Sequence, residues 1–168
     1  GKTWREALTD WEQYMDFVGL DCYPNYLFGN PVKGEVVGER VAQAIRLVKG
    51  KKVVIMESGY PSGPDTNHTE ENQALYVKEA VNSVKENGGS GFLYFTLYTS
   101  KDKLQQPVSS WKVILDPQMV EGYFGLIGGK EHRKKPAWYT YYDLIHRPSW
   151  DLNEDGTINI FDLILVGN

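Results

Sequence analysis

Lys51-Lys52-Val53-Val54-Ile55-Met56-Glu57-Ser58-Gly59-Tyr60-Pro61-Ser62 is the stretch on which the fold turns. Its first half is a short apolar run rich in β-branched residues, the composition of a strand buried on both faces. Its second half changes abruptly: Glu57 stands directly after Met56, and Gly59, Pro61 and Gly63 supply turn chemistry. A helical pattern lies on either side. Upstream, Val37, Val41, Ala44, Ile45 and Val48 recur at steps of three and four, and Gly50 stops the helix after Val48. Downstream, Thr69 is placed to cap a helix whose first turn carries Glu70 and Glu71, where the macrodipole favours negative charge. Ala74, Val77, Ala80, Val81 and Val84 form its buried stripe, and Asn87-Gly88-Gly89 ends it.

The pattern continues outward. Asp16-Phe17-Val18-Gly19-Leu20-Asp21-Cys22-Tyr23 is a second strand-like run closed by Pro24-Asn25, and Trp4, Ala7, Leu8, Trp11 and Met15 predict a short amphipathic helix before it. Phe92 to Tyr98 predicts a third strand. Thr99 to Glu131 is a long irregular stretch holding Trp111 and Tyr123-Phe124-Gly125-Leu126, of a length that suggests a functional loop. Pro136 fits the first position of a last helix over Ala137 to Ile145. Strands apolar on both faces, alternating with helices, predict an α/β fold with a parallel sheet covered by helices.

Two such folds compete. A doubly wound sheet would carry a Gly-rich phosphate loop after a strand, and neither G-x-G-x-x-G nor the Walker pattern occurs. A (β/α)8 TIM barrel builds its site from residues at the carboxyl ends of its strands. The sequence has such residues there: Asp21 and Tyr23 after the first strand, Glu57 and Tyr60 after the second, Thr96 and Tyr98 after the third. A closed barrel takes eight strands and roughly 250 residues. With three strands in 168 residues, a portion of a barrel is expected.

Composition narrows the partners. The formal charge is −4, and no Lys/Arg-rich run occurs, which argues against a nucleic-acid surface or an anionic membrane. No apolar run approaches the roughly 18 residues of a membrane span. Eleven Tyr and five Trp leave an aromatic groove for a polymer open. Cys22 is alone, so no intramolecular disulfide can form, and His68, His132 and His146 lack metal-ligand spacing. The start, Gly1-Lys2-Thr3-Trp4, is neither an initiator Met nor a signal peptide, so it is expected to be internal to a longer chain.

A carboxylate at the mouth of a buried strand is held by rigid backbone and partly desolvated, and so can serve as nucleophile or proton donor. The bland alternative is a solvated Glu57 or one paired with a lysine. Tyr23, Tyr60 and Tyr98 would ring the same mouth, where aromatic faces could stack on sugar rings while polar groups meet the hydroxyls. Taken singly, each tyrosine is read as packing before ligand contact, because large aromatics mostly supply buried area.

Val53-Val54-Ile55-Met56-Glu57-Ser58-Gly59-Tyr60-Pro61-Ser62 resembles the signature of family 17 glycoside hydrolases, β-1,3-glucanases in which an apolar strand runs into Glu-Ser/Thr-Gly-Trp-Pro-Ser. The resemblance runs in order from Asp16 to Leu144: Asp16 to Pro24 is similar to the sixth barrel strand, Asn72-Gln73-Ala74 to Tyr76 to the helix start after the signature, and Glu121-Gly122-Tyr123-Phe124-Gly125-Leu126 to a Glu-x-x-Phe-Gly-Leu segment near the barrel's end. It implies strands six to eight of a clan A barrel over residues 1–147. Glu57 then matches the catalytic nucleophile, with Asp21, Tyr23, Tyr60 and Tyr98 as substrate-binding residues. Tyr60 replaces the usual Trp. Leu97 to Lys103 stands where the family carries Phe-Asn/Asp-Glu-x-x-Lys, with Lys101 or Lys103 the candidates for the lysine. Endo-galactanases of the same clan have similar strand ends.

Retaining hydrolysis needs two carboxyl groups about 5 to 5.5 Å apart, one attacking the anomeric carbon and one protonating the leaving oxygen. By resemblance the acid/base ends strand four, which would precede Gly1. Asp21 suits hydrogen bonding to substrate better, and this portion is expected to be inactive alone.

Residues 148–168 differ in kind. Asp151, Asn153, Asp155, Asn159 and Asp162 place oxygens at positions 1, 3, 5, 9 and 12 of a twelve-residue loop, with Gly156 at 6 and the Thr157 carbonyl available at 7. Such a loop can converge hard oxygens on calcium; the alternative is an acidic turn. With Leu163-Ile164-Leu165-Val166 behind it, the segment resembles the first repeat of a dockerin, the module that tethers extracellular polysaccharide-degrading enzymes to cohesin scaffolds. A single repeat is expected to bind calcium weakly. Together the resemblances imply a secreted, extracellular retaining glycosidase acting on β-glucan, with β-1,3 linkage expected, calcium as a structural ion and none for catalysis. A β-glucan transglycosylase, or a non-catalytic carbohydrate-binding or cohesin-docking module, is the alternative.

Overall fold

The computed structural model describes residues 2–24, 34–63, 68–98, 122–128 and 132–146. The expected calcium ligands Asp151, Asn153, Asp155, Thr157, Asn159 and Asp162 lie outside these residues, as do Lys101, Lys103, Trp111 and Glu121.

The elements are α1 (Trp4–Trp11) with a 3-10 turn at Glu12–Tyr14, β1 (Phe17–Asp21), α2 (Glu35–Leu47), β2 (Lys52–Ser58), α3 (Glu70–Glu86), β3 (Gly91–Tyr94), β4 (Ile127–Gly128), β5 (Arg133–Lys134) and α4 (Pro136–His146). β1, β2 and β3 form a parallel sheet in that order, so each crossover carries a helix. β4 and β5 make a small antiparallel pair.

Local chemistry sets the boundaries. A capping box starts α1: Thr3 and Glu6 each bond the other's backbone N–H. Thr69 caps α3 by accepting from the Asn72 N–H at 3.1 Å. Gly50 and Gly88 take positive φ, 71° and 77°, where a Cβ would be strained, and so end α2 and α3 sharply.

The expected helical stripes bury as a set. Val37, Val41 and Ala44 of α2 and Val77, Ala80, Val81 and Val84 of α3 join Val18, Val53, Ile55 and Phe92 of the sheet and Ala137, Tyr141 and Leu144 of α4 in one core. Gly38 lets α2 approach α3 closely, since a Cβ there would run into the Ser83 backbone and hydroxyl.

Three sequence expectations change. α1 buries Leu8 alone, and Trp11 stays exposed, so its apolar stripe is mostly solvated. β3 is shorter than Phe92 to Tyr98: it stops at Tyr94, the chain bends at a cis Phe95–Thr96 peptide, and Tyr98 meets Ile127 in an isolated bridge. The sheet is also not covered on both faces. The helices take the face of Val18, Val53 and Ile55, while the other face, with Phe17 and Met56, is partly open among the described residues.

Candidate functional site

β2 places Glu57, and an irregularity within β2 aims it. Strict alternation would put Glu57 on the helix side with Val53 and Ile55. Between Ile55 and Ser58 the register with both neighbouring strands slips by one residue, so Leu20 pairs Ile55 but Asp21 pairs Glu57. Ser58 consequently faces the helices, where its hydroxyl lies 2.6 Å from that of Tyr76 on α3. Glu57 turns to the open face, opposite Asp21. Bulges beside functional centres commonly re-aim a side chain in this way, and sequence alternation cannot reveal one.

Past the end of β1, the Tyr23 hydroxyl donates to the Glu57 carboxylate, 3.0 Å from Oε2. The Tyr23 ring is wedged edge-on between Phe95, 6.4 Å away at 81°, and Phe124, 5.8 Å away at 89°. Those two rings also meet each other at 5.8 Å. Gly59 makes this approach possible, because a Cβ there would meet Phe124 Cδ1 at 2.7 Å and press on the Phe95 carbonyl. Phe95 and Phe124 were not singled out as site residues by the sequence. Their distance in sequence from Tyr23 leaves no local signal, although Phe124 lies in the Tyr-Phe-Gly-Leu run.

A cavity of about 620 Å³ opens along β1, lined by Asp21 and Tyr23 with Leu20, Cys22, Trp4 and Arg40. Burial pushes the Cys22 thiol pKa upward, with Arg40 opposing weakly, so the thiol stays protonated. The cavity therefore offers a carboxylate, a guanidinium and two aromatic rings.

The remaining predicted residues go elsewhere. Tyr60 is only 1% exposed, stacked on Tyr76 at 5.3 Å and set edge-on to His68 at 5.0 Å. It therefore presents no ring face to a ligand, and packing rather than sugar stacking describes its place. Tyr98 is 53% exposed and lies beside His132, ring centroids 5.7 Å apart, beyond the shortened β3. The ring brought to Tyr23 from that end of the chain is Phe95.

Beneath the site lies a buried polar node. The carbonyls of Tyr123, Phe124 and Gly125 point at three buried side chains. Ser62 donates to Tyr123 at 3.1 Å, Gln73 Nε2 to Phe124 at 2.9 Å, and Lys135 Nζ to Gly125 at 2.5 Å. Lys135 also donates to the Ser62 hydroxyl at 2.9 Å, and Gln73 to the Tyr60 carbonyl at 2.8 Å. Desolvation lowers the Lys135 pKa from 10.5 to about 8, partly offset by Glu70, whose negative charge is shared with its ion-pair partner Arg133. Gln73 had a legible signal, as a polar residue one turn before Val77 on a buried stripe. Lys135 had none within Arg133-Lys134-Lys135.

Among the described residues no cluster of His, Cys, Asp and Glu could hold a metal ion, and no helix is long and apolar enough to cross a membrane.

No family model matches the sequence, and no curated protein matches it. The fold is similar to the crystal structure of a glycoside hydrolase family 17 β-1,3-glucanosyltransferase from Rhizomucor miehei, with TM-score 0.55 and 20% identity over 75% of this chain. It is equally similar to an active-site mutant of a Rhizomucor miehei β-1,3-glucanosyltransferase in complex with laminaritriose, with TM-score 0.54 and 20% identity over 75% of this chain. The chain spans 43% of the length of each. At that identity the likeness is one of fold: an α/β chain with a parallel sheet, matching part of the barrel of a family 17 glycoside hydrolase.

Proposed function

We propose that this chain supplies the nucleophile side of a retaining glycosidase site acting on β-glucan, with Glu57 attacking the anomeric carbon. The observation carrying this reading is the Tyr23–Glu57 pair at 3.0 Å, on a carboxylate that a bulge turns to the open face of the sheet. A nucleophilic carboxylate must be oriented, and a hydroxyl donor on one oxygen fixes its direction while leaving the other to attack. The fold likeness to a β-1,3-glucanosyltransferase, and to one crystallised with laminaritriose, supports β-1,3-glucan as the substrate class.

Asp21, opposite Glu57, and the cavity along β1 are proposed to meet substrate hydroxyls. Among the described residues no proton donor is assigned, and an activated donor, which needs none, is the substrate from which a glycosyl-enzyme on Glu57 is expected. Transfer to a sugar rather than water is the second reading, favoured by the transferase activity named for both similar structures.

A 2-fluoro-laminaribiosyl donor with an activated leaving group tests the proposal. Covalent mass addition mapped to Glu57, absent in Glu57→Ala, is the expected outcome. Binding of laminaritriose with no adduct would instead assign the chain a carbohydrate-binding role. The loop from Asp151 to Asp162 is proposed, on the spacing of its oxygens, to bind calcium in an extracellular setting and to dock on a cohesin-type partner. Terbium luminescence displaced by calcium checks the first half of that reading, and silence would end it.

A further inference from the structure

We propose that Lys135 is a positioning residue, which fixes the backbone of residues 123–125 so that the Phe124 ring holds Tyr23 against Glu57.

Lys135 is 3% exposed, and the hydrogen-bonding partners of its ammonium are all neutral oxygens: the Gly125 carbonyl at 2.5 Å, the Ser62 hydroxyl at 2.9 Å and the Tyr123 carbonyl at 3.5 Å. A buried ammonium without a contacting carboxylate is costly to keep, and such a group persists where its donors are needed in fixed directions. The three oxygens belong to the two segments that meet under the site, the turn after β2 and the turn before β4. Ser62 accepts from Lys135 and donates to Tyr123, so the ammonium closes a relay between them.

What this relay positions is visible one residue away. Phe124 lies between the two carbonyls that Lys135 reaches, and its ring packs against both Tyr23 and Phe95. Tyr23 in turn reaches the carboxylate. Lys135 touches neither Tyr23 nor Glu57 in this arrangement and acts through backbone and ring packing. Lys134, its neighbour, instead projects over the Trp138 ring, 4.9 Å from the centroid, and provides a control of equal charge.

The consequence for chemistry rests on Glu57 being the nucleophile, but the geometric claim does not. It is measured by nuclear magnetic resonance on the 168-residue chain carrying 13Cζ-tyrosine. Glu57→Gln replaces the carboxylate that Tyr23 meets and shifts the Tyr23 signal. In a Lys135→Met background that shift is expected to fall below about half its size, the mark of lost coupling. It is expected to persist in Lys134→Met, in Lys135→Arg, and in Gly38→Ala, which loosens the fold far from the site. A full-size shift in folded Lys135→Met overturns the proposal. Should that variant not fold, Ser62→Ala breaks the same relay, and an undiminished shift there overturns it equally. Absence of the fluoro-sugar adduct in the unsubstituted chain would sink the functional reading and leave the Tyr23 measurement to decide this one.

Discussion

At the scale of a residue, the site comes down to how one carboxylate is aimed and held. A hydrogen bond to a charged acceptor contributes about 1.5 to 3 kcal/mol. Because that bond also sets the direction from which Glu57 attacks, Tyr23→Phe should slow adduct formation at Glu57 by about 10- to 100-fold, with laminaritriose binding little changed. An unchanged labelling rate would remove Tyr23 from the chemistry. Gly59→Ala should do harm of another kind, by driving a methyl group into Phe124 and the Phe95 carbonyl and costing about 1 to 3 kcal/mol. A urea midpoint that does not move would contradict that. Glu57 was legible in the sequence as a carboxylate at a strand's mouth, because apolar runs and turn residues are local signals. Its direction was not, since alternation predicts the helix side and the bulge reverses it. Tyr60 was misplaced for a related reason: proximity to Glu57 along the chain says nothing about which face a ring takes, and this one fills the space beside Tyr76.

At the scale of elements, caps and stripes were readable and strand ends were not. Thr69, Gly50 and Gly88 act within a few residues of themselves, so the bounds of α2 and α3 follow from chemistry that a sequence displays. β3 stops at Tyr94 because the chain leaves the ladder to bond Thr96 and Leu97 carbonyls to the Leu126 and Ile127 N–H groups, partners about thirty residues on that no local pattern announces. Packing of α2 on α3 depends on Gly38. Gly38→Ala must separate the helices or displace Ser83, and a loss of about 1 to 3 kcal/mol in chemical denaturation is expected. Retention of full stability would mean that the helices meet less closely there.

At the scale of the molecule, the parallel α/β order was legible because alternating β and α patterns admit few topologies. The buried node was not, because it joins residues 62, 73 and 135 through the fold alone. That node has a signature in bulk stability. The folded state binds the Lys135 proton less readily than the unfolded chain does, with a pKa near 8 against 10.5, so this group makes stability rise as pH climbs from about 8. Cys22, raised above 9.0 by burial, and Tyr76, Tyr94 and Tyr141, raised above 10.0, hold their protons in the folded state and lower stability beyond those values. A rising limb between about pH 8 and 9 is therefore expected in denaturation midpoints, and it should vanish in Lys135→Met. A parallel pH profile in that variant would show that the ammonium titrates as it does in water.

The place of β1 in the sheet carries a consequence of its own. Phe17–Asp21 pairs along one side with β2, and among the described residues no further strand pairs with it on the other. Such a flank is a template for polymerisation: its alternate N–H and C=O groups will accept the backbone of any neighbour in register, with little regard for side chains. Asp21 ends β1 and Tyr23 follows it, so a chain that stacked on this edge would mask the cavity along β1. Sedimentation velocity should then show growth with concentration, and laminaritriose, if it occupies the cavity, should compete with that growth.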